Sequence, residues 1–253
     1  MTGRPFPRRR RQTLHFLAQI RAVAPVFLDT EVDMGGVLSH RDRARQVGTR
    51  YSLVTYVLHA GAQVLAKHPQ ANAAIRGALR PRVAHYEAVN AKLALDRTLD
   101  GQRAVLSAVL PDLADTDLDG IQEQVSHYRD GDAERMPEFA GVRRLQGLPV
   151  PLGRLAFRRF VGPLHRRNEV FGTFAVTSLG HRAVDSFHSV GGTTVTLGVG
   201  RVLPRPVVRD EAVVVAPVMR LSLSFDHRVI DGAEAADVLT EIKDALESYG
   251  GAG

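Results

Sequence analysis

The stretch Leu221–Gly232, which reads LSLSFDHRVIDG, decides the fold and the chemistry of this chain. Apolar residues alternate with serines over positions 221–225, and this period of two predicts a strand that delivers His227 at its end. The β-branched pair at 229–230 and Gly232 then disfavour helix until Ala233. The sequence therefore predicts that His227 lies on a strand-to-helix turn, held rigidly but open to a cleft.

His227, Asp231 and Gly232 form the pattern His-x-x-x-Asp-Gly. Imidazole accepts a proton near neutral pH better than any other side chain, which makes His227 a candidate general base. Two other interpretations fit the spacing alone. His227 and Asp231 could both bind a metal, although the sequence offers no third ligand nearby, so we expect no metal. Asp231 could instead cap the helix that begins at Ala233.

The other helices and strands are predicted from the spacing of apolar residues and from the prolines and glycines that end them. Helices are predicted over Ser52–Lys67, which Pro69 ends, Thr116–Tyr128 and Ala233–Tyr249. Strands are predicted over Val26–Met34, within Val83–Leu110 around a turn at Asp100-Gly101, and over Thr173–Thr177, Thr193–Val199, Val213–Val215 and Met219–Phe225. No βαβ unit repeats, so the pattern predicts an α+β fold or a large mixed sheet, forming one domain over residues 1–253.

Three segments stand apart from this pattern. Residues 1–24 are predicted to form a basic arm that leads into a short amphipathic helix, and residues 248–253 a flexible tail. The segment 131–168 is rich in proline and arginine, with Phe157 and Phe160 in a helix-like stretch. It fits a packed surface helix, a lid or part of a substrate channel.

Composition excludes several classes of protein. The chain has no cysteine, which excludes disulfides, thiolate metal sites and a cysteinyl intermediate, and suits a reducing cytoplasm. No segment approaches the ~20 apolar residues of a membrane span, and the stretch after Arg8–Arg11 is too short for an export signal. The net charge of +6 fits a phosphorylated donor, and the absence of zinc spacings or RNA-binding aromatic motifs argues against nucleic acid.

Several motifs together resemble one family. The stretch LSLSFDHRVIDGAEAADVL from Leu221 is similar to the C-terminal signature of the acyltransferase (E2) components of 2-oxo acid dehydrogenase complexes, which share their fold with chloramphenicol acetyltransferase. GTFAVTSLG at Gly172–Gly180 resembles a second signature about fifty residues upstream, and GGTTVTLGVGRV at Gly191–Val202 the strand that follows. Weaker matches at Pro25–Met34 and Lys67–Ile75 extend the resemblance along most of the chain.

The resemblance implies a chloramphenicol acetyltransferase-like mixed sheet with helices, assembled as a homotrimer with active sites between subunits. His227 would deprotonate the acceptor. Thr177, or Ser178 one position on, would donate a hydrogen bond to the oxyanion from the facing subunit, and Ser178 and Gly232 would contact substrate. Asp231 would be mainly structural, paired with one of Arg8–Arg11. Acyl-CoA would be a substrate and not a bound cofactor, its phosphates held within 154–167.

The sequence also departs from that family. It shows no lipoyl domain, its segment 131–168 is longer and more basic, and it ends in SYGGAG where cage-forming relatives have an apolar tail. We therefore expect a trimer and not a larger cage. The chain is either an excised catalytic domain or a stand-alone acyltransferase, and its acceptor is a lipoyl group, a carrier protein or a small thiol, hydroxyl or amine. The alternatives are a catalytically silent trimeric scaffold and, through the arginine arm, a nucleic-acid-binding protein.

Overall fold

The computed structural model describes residue 3, residues 6–99 and residues 101–249. Within these ranges the strands are β1 (Pro25–Asp33), β2 (Ala73–Arg76), β3 (Arg82–His85), β4 (Ala91–Leu99), β5 (Gln102–Leu110), β6 (Phe174–Ser178), β7 (Val195–Arg209) and β8 (Ala212–Asp226). The helices are α1 (Arg11–Ile20), α2 (Gly35–Gln46), α3 (Leu53–Leu65), α4 (Leu118–Asp130), α5 (Ala140–Gly147), α6 (Val150–Val161), α7 (Arg167–Phe171) and α8 (Gly232–Glu247).

Among the described residues, six strands form one mixed sheet in the order β1-β8-β7-β6-β4-β5, and β2 pairs with β3 in a separate two-stranded sheet. The pairs β4–β6 and β6–β7 are parallel, and the other pairs are antiparallel. The predicted mixed α+β fold is therefore confirmed.

The main core lies between one face of this sheet and two helices. α3 is apolar on nearly every side and packs against β6 and α8, with Gly61 in contact with the Phe174 ring. α8 contributes its apolar stripe, in which Ala235, Val238 and Ile242 are fully buried. Alternation along the strands sends every second side chain of β6, β7 and β8 toward these helices.

Local sequence signals explain where several elements begin. Ser52 accepts a hydrogen bond from the Thr55 amide at the start of α3, and Asp117 accepts one from the Gly120 amide at the start of α4. Gly101, with φ of +71°, forms the predicted turn between β4 and β5. Its neighbour Asp100 and most of the predicted tail, residues 250–253, lie outside the described residues.

Two predictions about the elements were wrong. Val213–Val215 and Met219–Phe225 are not separate strands but parts of β8, and β7 likewise continues past its predicted end. Pro204 of β7 and Pro217 of β8 are register partners, so their two missing N–H groups fall at one place in the ladder. The sequence analysis also missed α2 and the four-residue β2.

The segment 131–168 is helical. α6 packs against α1 and α5, so the interpretation as a packed helix is confirmed. Gly153 of α6 faces the buried ring of His15 on α1, and a Cβ there would lie 2.4 Å from Nε2. No described helix is long and apolar enough to cross a membrane.

Candidate active site

His227 follows directly on the last residue of β8 and precedes α8, as the alternation pattern predicts. Its backbone N–H donates to the carbonyl of Ala24 at 2.9 Å, which ties the motif to the segment between α1 and β1. Its ring lies 5.5 Å from that of the buried Phe225. The side chain is 46% exposed. His227 is therefore fixed through its backbone, and its imidazole can reach a ligand.

Asp231 contacts the same histidine. Its Oδ1 lies 3.3 Å from Nδ1 of His227, and its side chain is 89% exposed. Asp231 is the residue before the first turn of α8, but its side chain makes no capping hydrogen bond, so the capping interpretation is wrong. A carboxylate beside Nδ1 favours the tautomer that carries its proton there, which leaves Nε2 free to accept one. Solvent around Asp231 keeps the electrostatic part of this effect small.

The predicted pair between Asp231 and one of Arg8–Arg11 is not formed within the described chain. Arg9 donates to the Gln146 side chain, and Arg11 donates to the carbonyl of Leu148 at 2.9 Å. The arginines of this run therefore attach the start of α1 to α5 and the turn after it. The position of Asp231 next to His227 is set by α8 instead.

Sequence reasoning missed a second ion pair next to His227. Asp226 is buried and accepts two hydrogen bonds from the Arg228 guanidinium, at 2.8 and 2.5 Å, and one from the Ala24 amide at 3.3 Å. These contacts with Asp226 raise the pKa of Arg228. The two residues flank His227 in the sequence, and opposite charges on both sides of the motif histidine were the available signal.

Thr177 and Ser178 form the end of β6, both half-buried. Thr177 pairs with Gly198 of β7, which pairs with Ser222 of β8. His227 follows Ser222 by five residues, roughly 16 Å along the strand direction, and lies two strands, roughly 10 Å, across the sheet from Thr177. One chain therefore does not bring the predicted base and the predicted oxyanion donor together. Gly232, the third predicted residue, is exposed at the start of α8.

Two buried cations lie beside β6. Lys92 is the register partner of Ala175, and its amine donates to the carbonyl of Gly191. Arg167 donates to the carbonyl of Gly192 at 2.7 Å. Burial lowers the pKa of both groups, that of Lys92 strongly, and each also repels the positive charge of a neighbouring cation. They fix the glycine loop that leads into β7. The sequence analysis did not mark Lys92, and it included Arg167 only as the last residue of the stretch 154–167 predicted to hold phosphates.

Comparison with known proteins gives a consistent picture. Residues 162–252 match the family described as 2-oxoacid dehydrogenases acyltransferase (catalytic domain). A dihydrolipoyllysine-residue acetyltransferase component of the pyruvate dehydrogenase complex of Staphylococcus aureus (strain Mu50 / ATCC 700699) is 26% identical over 98% of this chain and 52% of its own length. The corresponding protein of Staphylococcus epidermidis is also 26% identical, over 98% of this chain and 51% of its own length. The chain thus spans about half the length of the curated relatives it matches.

Solved structures show the same fold. A probable dihydrolipoamide acetyltransferase of Listeria monocytogenes 4b F2365 superimposes with a TM-score of 0.72 at 22% identity, covering 98% of this chain and 95% of that one. The cubic core of the pyruvate dehydrogenase multienzyme complex gives 0.72 at 21%, covering 98% and 91%. A chloramphenicol acetyltransferase gives 0.56 at 16%, covering 96% of both chains. The resemblance predicted from the sequence is confirmed.

Proposed function

Because this chain is related to the catalytic domains of 2-oxoacid dehydrogenase acyltransferases and shares their fold, we propose that it transfers an acyl group between coenzyme A and an acceptor. The observation that carries the proposal is the geometry of His227, half exposed at the end of β8, with Asp231 beside Nδ1. A general base needs an accessible nitrogen at a defined place, and His227 has an accessible ring on a backbone anchored to Ala24.

The reaction that fits this geometry is direct transfer. Nε2 of His227 removes the proton from the acceptor as the acceptor's sulfur, oxygen or nitrogen attacks the thioester carbonyl. The tetrahedral oxyanion accepts a hydrogen bond from the hydroxyl of Thr177. The C–S bond then breaks, and the imidazolium returns its proton to the leaving thiolate of coenzyme A. No cysteinyl intermediate can take part, because the chain contains no cysteine.

The separation of Thr177 and His227 supports an oligomer. Thr177 lies on β6, and His227 follows the end of β8, two strands across the sheet and well apart along the strand direction. They are too far apart for both to touch one reacting atom. A neighbouring subunit would supply the missing hydroxyl. We propose a homotrimer, the assembly that the family resemblance implies, because in a closed ring every interface completes one site.

We propose a thiol acceptor, and a dihydrolipoyl group in particular. The named relatives act on a dihydrolipoyllysine residue, and a thiol is the most acidic of the three acceptors considered, so His227 needs the least help to deprotonate it. A phosphopantetheine carrier thiol fits the same chemistry. Small-molecule hydroxyls and amines would need stronger activation.

The test is consumption of a panel of acyl-CoA donors, followed by chromatography, with and without dihydrolipoamide. His227→Ala should reduce turnover at least about 100-fold, the lower end of what general-base catalysis contributes. His127→Ala is the matched control, because His127 has a similar side-chain exposure of 55% but lies on α4. Turnover by His227→Ala that equals the control would refute the mechanism. A folded trimer without turnover on any donor would favour the scaffold alternative.

A further inference from the structure

A basic cavity lies between the β2–β3 hairpin and the turn after α6. Its volume is about 450 Å³, and its lining residues are Arg76, Gly77, Arg80, Arg82, Pro163, Leu164 and His165. Three guanidinium groups and an imidazole thus face one space, and no carboxylate lines it. This cavity is separate from the turn that carries His227 and Asp231.

The positive charges of this cavity are not compensated within the described chain. Arg76 and Arg82 are direct register partners on β2 and β3, an arrangement in which like charges destabilise a sheet. No hydrogen bond or ion pair among the described residues engages the side chains of Arg76, Arg80 or Arg82. All three side chains are exposed, so an anion from solution can reach them, and a bound anion would offset the repulsion.

The walls of the cavity are already in place. Tyr86 at the end of the hairpin donates through its hydroxyl to the carbonyl of Leu164 at 2.7 Å, and Asn72 donates to the carbonyl of Tyr86 at 2.7 Å. Gly77, with φ of +105°, lets the hairpin turn without strain. The arginines therefore stand on a fixed frame, which lowers the entropic cost of binding.

The cavity connects to the candidate active site through two contacts. Thr194 donates through its hydroxyl to the carbonyl of Ala73, the first residue of β2, and its own carbonyl accepts a hydrogen bond from the Asp226 amide at 3.0 Å. Arg76 is three residues further along β2, roughly 10 Å away. A ligand whose anionic end lies at Arg76 would need a long arm to reach His227.

We propose that Arg76, Arg80 and Arg82, with His165, bind the phosphate groups of the acyl donor while its pantetheine arm extends toward His227. This inference rests on the acyltransferase function proposed above. Guanidinium groups suit the site because they bind phosphate oxygens through two hydrogen bonds at once. Of the stretch 154–167, which the sequence favoured for this role, His165 is the member that lines the cavity; Arg167 is buried against the carbonyl of Gly192.

The first test is direct binding, which does not depend on turnover. Calorimetry measures the Kd of coenzyme A and of pantetheine, which lacks the phosphates. The proteins compared are the trimeric wild type and a variant with Arg76, Arg80 and Arg82 changed to Gln. The control changes Arg43, Arg45 and Arg50, exposed arginines on and after α2, to Gln and removes the same charge. The Kd for coenzyme A should rise at least about tenfold in the cavity variant alone, since hydrogen bonds to charged groups contribute that much. Pantetheine should bind all three proteins equally.

The second test separates this inference from the proposed function. If the wild type transfers no acyl group but the cavity variant still loses affinity for coenzyme A, the phosphate site stands and the function fails. If transfer proceeds and the cavity variant retains the wild-type Kd and KM for acyl-CoA, the function stands and the phosphate site is refuted. Loss of affinity for a single-stranded RNA but not for coenzyme A would also refute it.

Discussion

The amine nitrogen of Lys92 lies 3.7 Å from the centroid of the Phe171 ring and 4.8 Å from that of Phe16. This lysine is buried beside Arg167, and the carbonyl of Gly191 accepts its hydrogen bond. The two rings attract the protonated form, but burial and the neighbouring guanidinium oppose it and lower the pKa of Lys92 well below its usual value. The ordinary lysine in the unfolded chain keeps its proton to about pH 10.

Lys92 should therefore make stability depend on pH. Between its lowered folded pKa and about pH 10 the unfolded state binds more protons, so the free energy of unfolding should rise with pH. Lys92→Met should remove this component, so the stability of wild type relative to the variant should increase as the pH rises from the lowered pKa of Lys92 toward about pH 10. Thermal denaturation across that range measures it, with the exposed Lys67→Met as control. Parallel curves for wild type and Lys92→Met would contradict the prediction.

Gly153 should be needed for the packing of α6 on α1. A methyl group there would lie 2.4 Å from Nε2 and 2.8 Å from Cε1 of the buried His15, so Gly153→Ala should cost about 1–3 kcal/mol of unfolding free energy by overpacking. Gly141 of α5 has no atom within 4 Å of the same position, and Gly141→Ala should be neutral or stabilise by up to about 1 kcal/mol.

Chemical denaturation of the two alanine variants measures this difference. His15→Ala in the Gly153→Ala background should recover part of the loss, because it vacates the space that the methyl group needs. Equal unfolding free energies for Gly153→Ala and Gly141→Ala would contradict the prediction, because α1 and α6 would then accommodate the methyl group without loss of stability.

If a neighbouring subunit completes each site, two variants that are inactive alone should regain activity when their subunits are mixed in one trimer. Thr177→Ala should reduce kcat about 100- to 1,000-fold, as loss of an oxyanion donor does, and Thr177→Ser should retain activity. Random mixed trimers of Thr177→Ala and His227→Ala subunits should regain about a quarter of wild-type activity, because that share of interfaces joins an intact His227 to an intact Thr177.

The measurement is acyl-CoA consumption after the two variants are unfolded and refolded together. Each variant treated alone provides the control. A mixture no more active than the two separate variants would show that the residues do not act across an interface.

The elements that sequence reasoning predicted share strong local signals. α3 and α8 have long apolar stripes, α3 has a capping serine, and the β4–β5 hairpin has a glycine where φ must be positive. The position of His227 between strand and helix followed from the alternation before it and from the β-branched pair and glycine after it. Such signals lie within a few residues of the structure that they specify.

What the sequence did not reveal depends on partners that are distant in the chain. α2 is largely polar, and β7 and β8 continue through prolines because Pro204 and Pro217 face each other. The burial of Lys92 depends on Phe16 and Phe171, far from it in the sequence. The basic cavity likewise joins Arg76 to His165. Local periodicity carries no information about such pairs, which only the tertiary fold brings together.

The bond between the His227 amide and the Ala24 carbonyl gives the first part of the chain a mechanical role. The amide of Ala24 also donates a hydrogen bond to the side chain of Asp226. A single residue therefore binds both Asp226 and the backbone of His227. The backbone that carries the imidazole is thus anchored to the segment between α1 and β1, at an exposed residue outside the core.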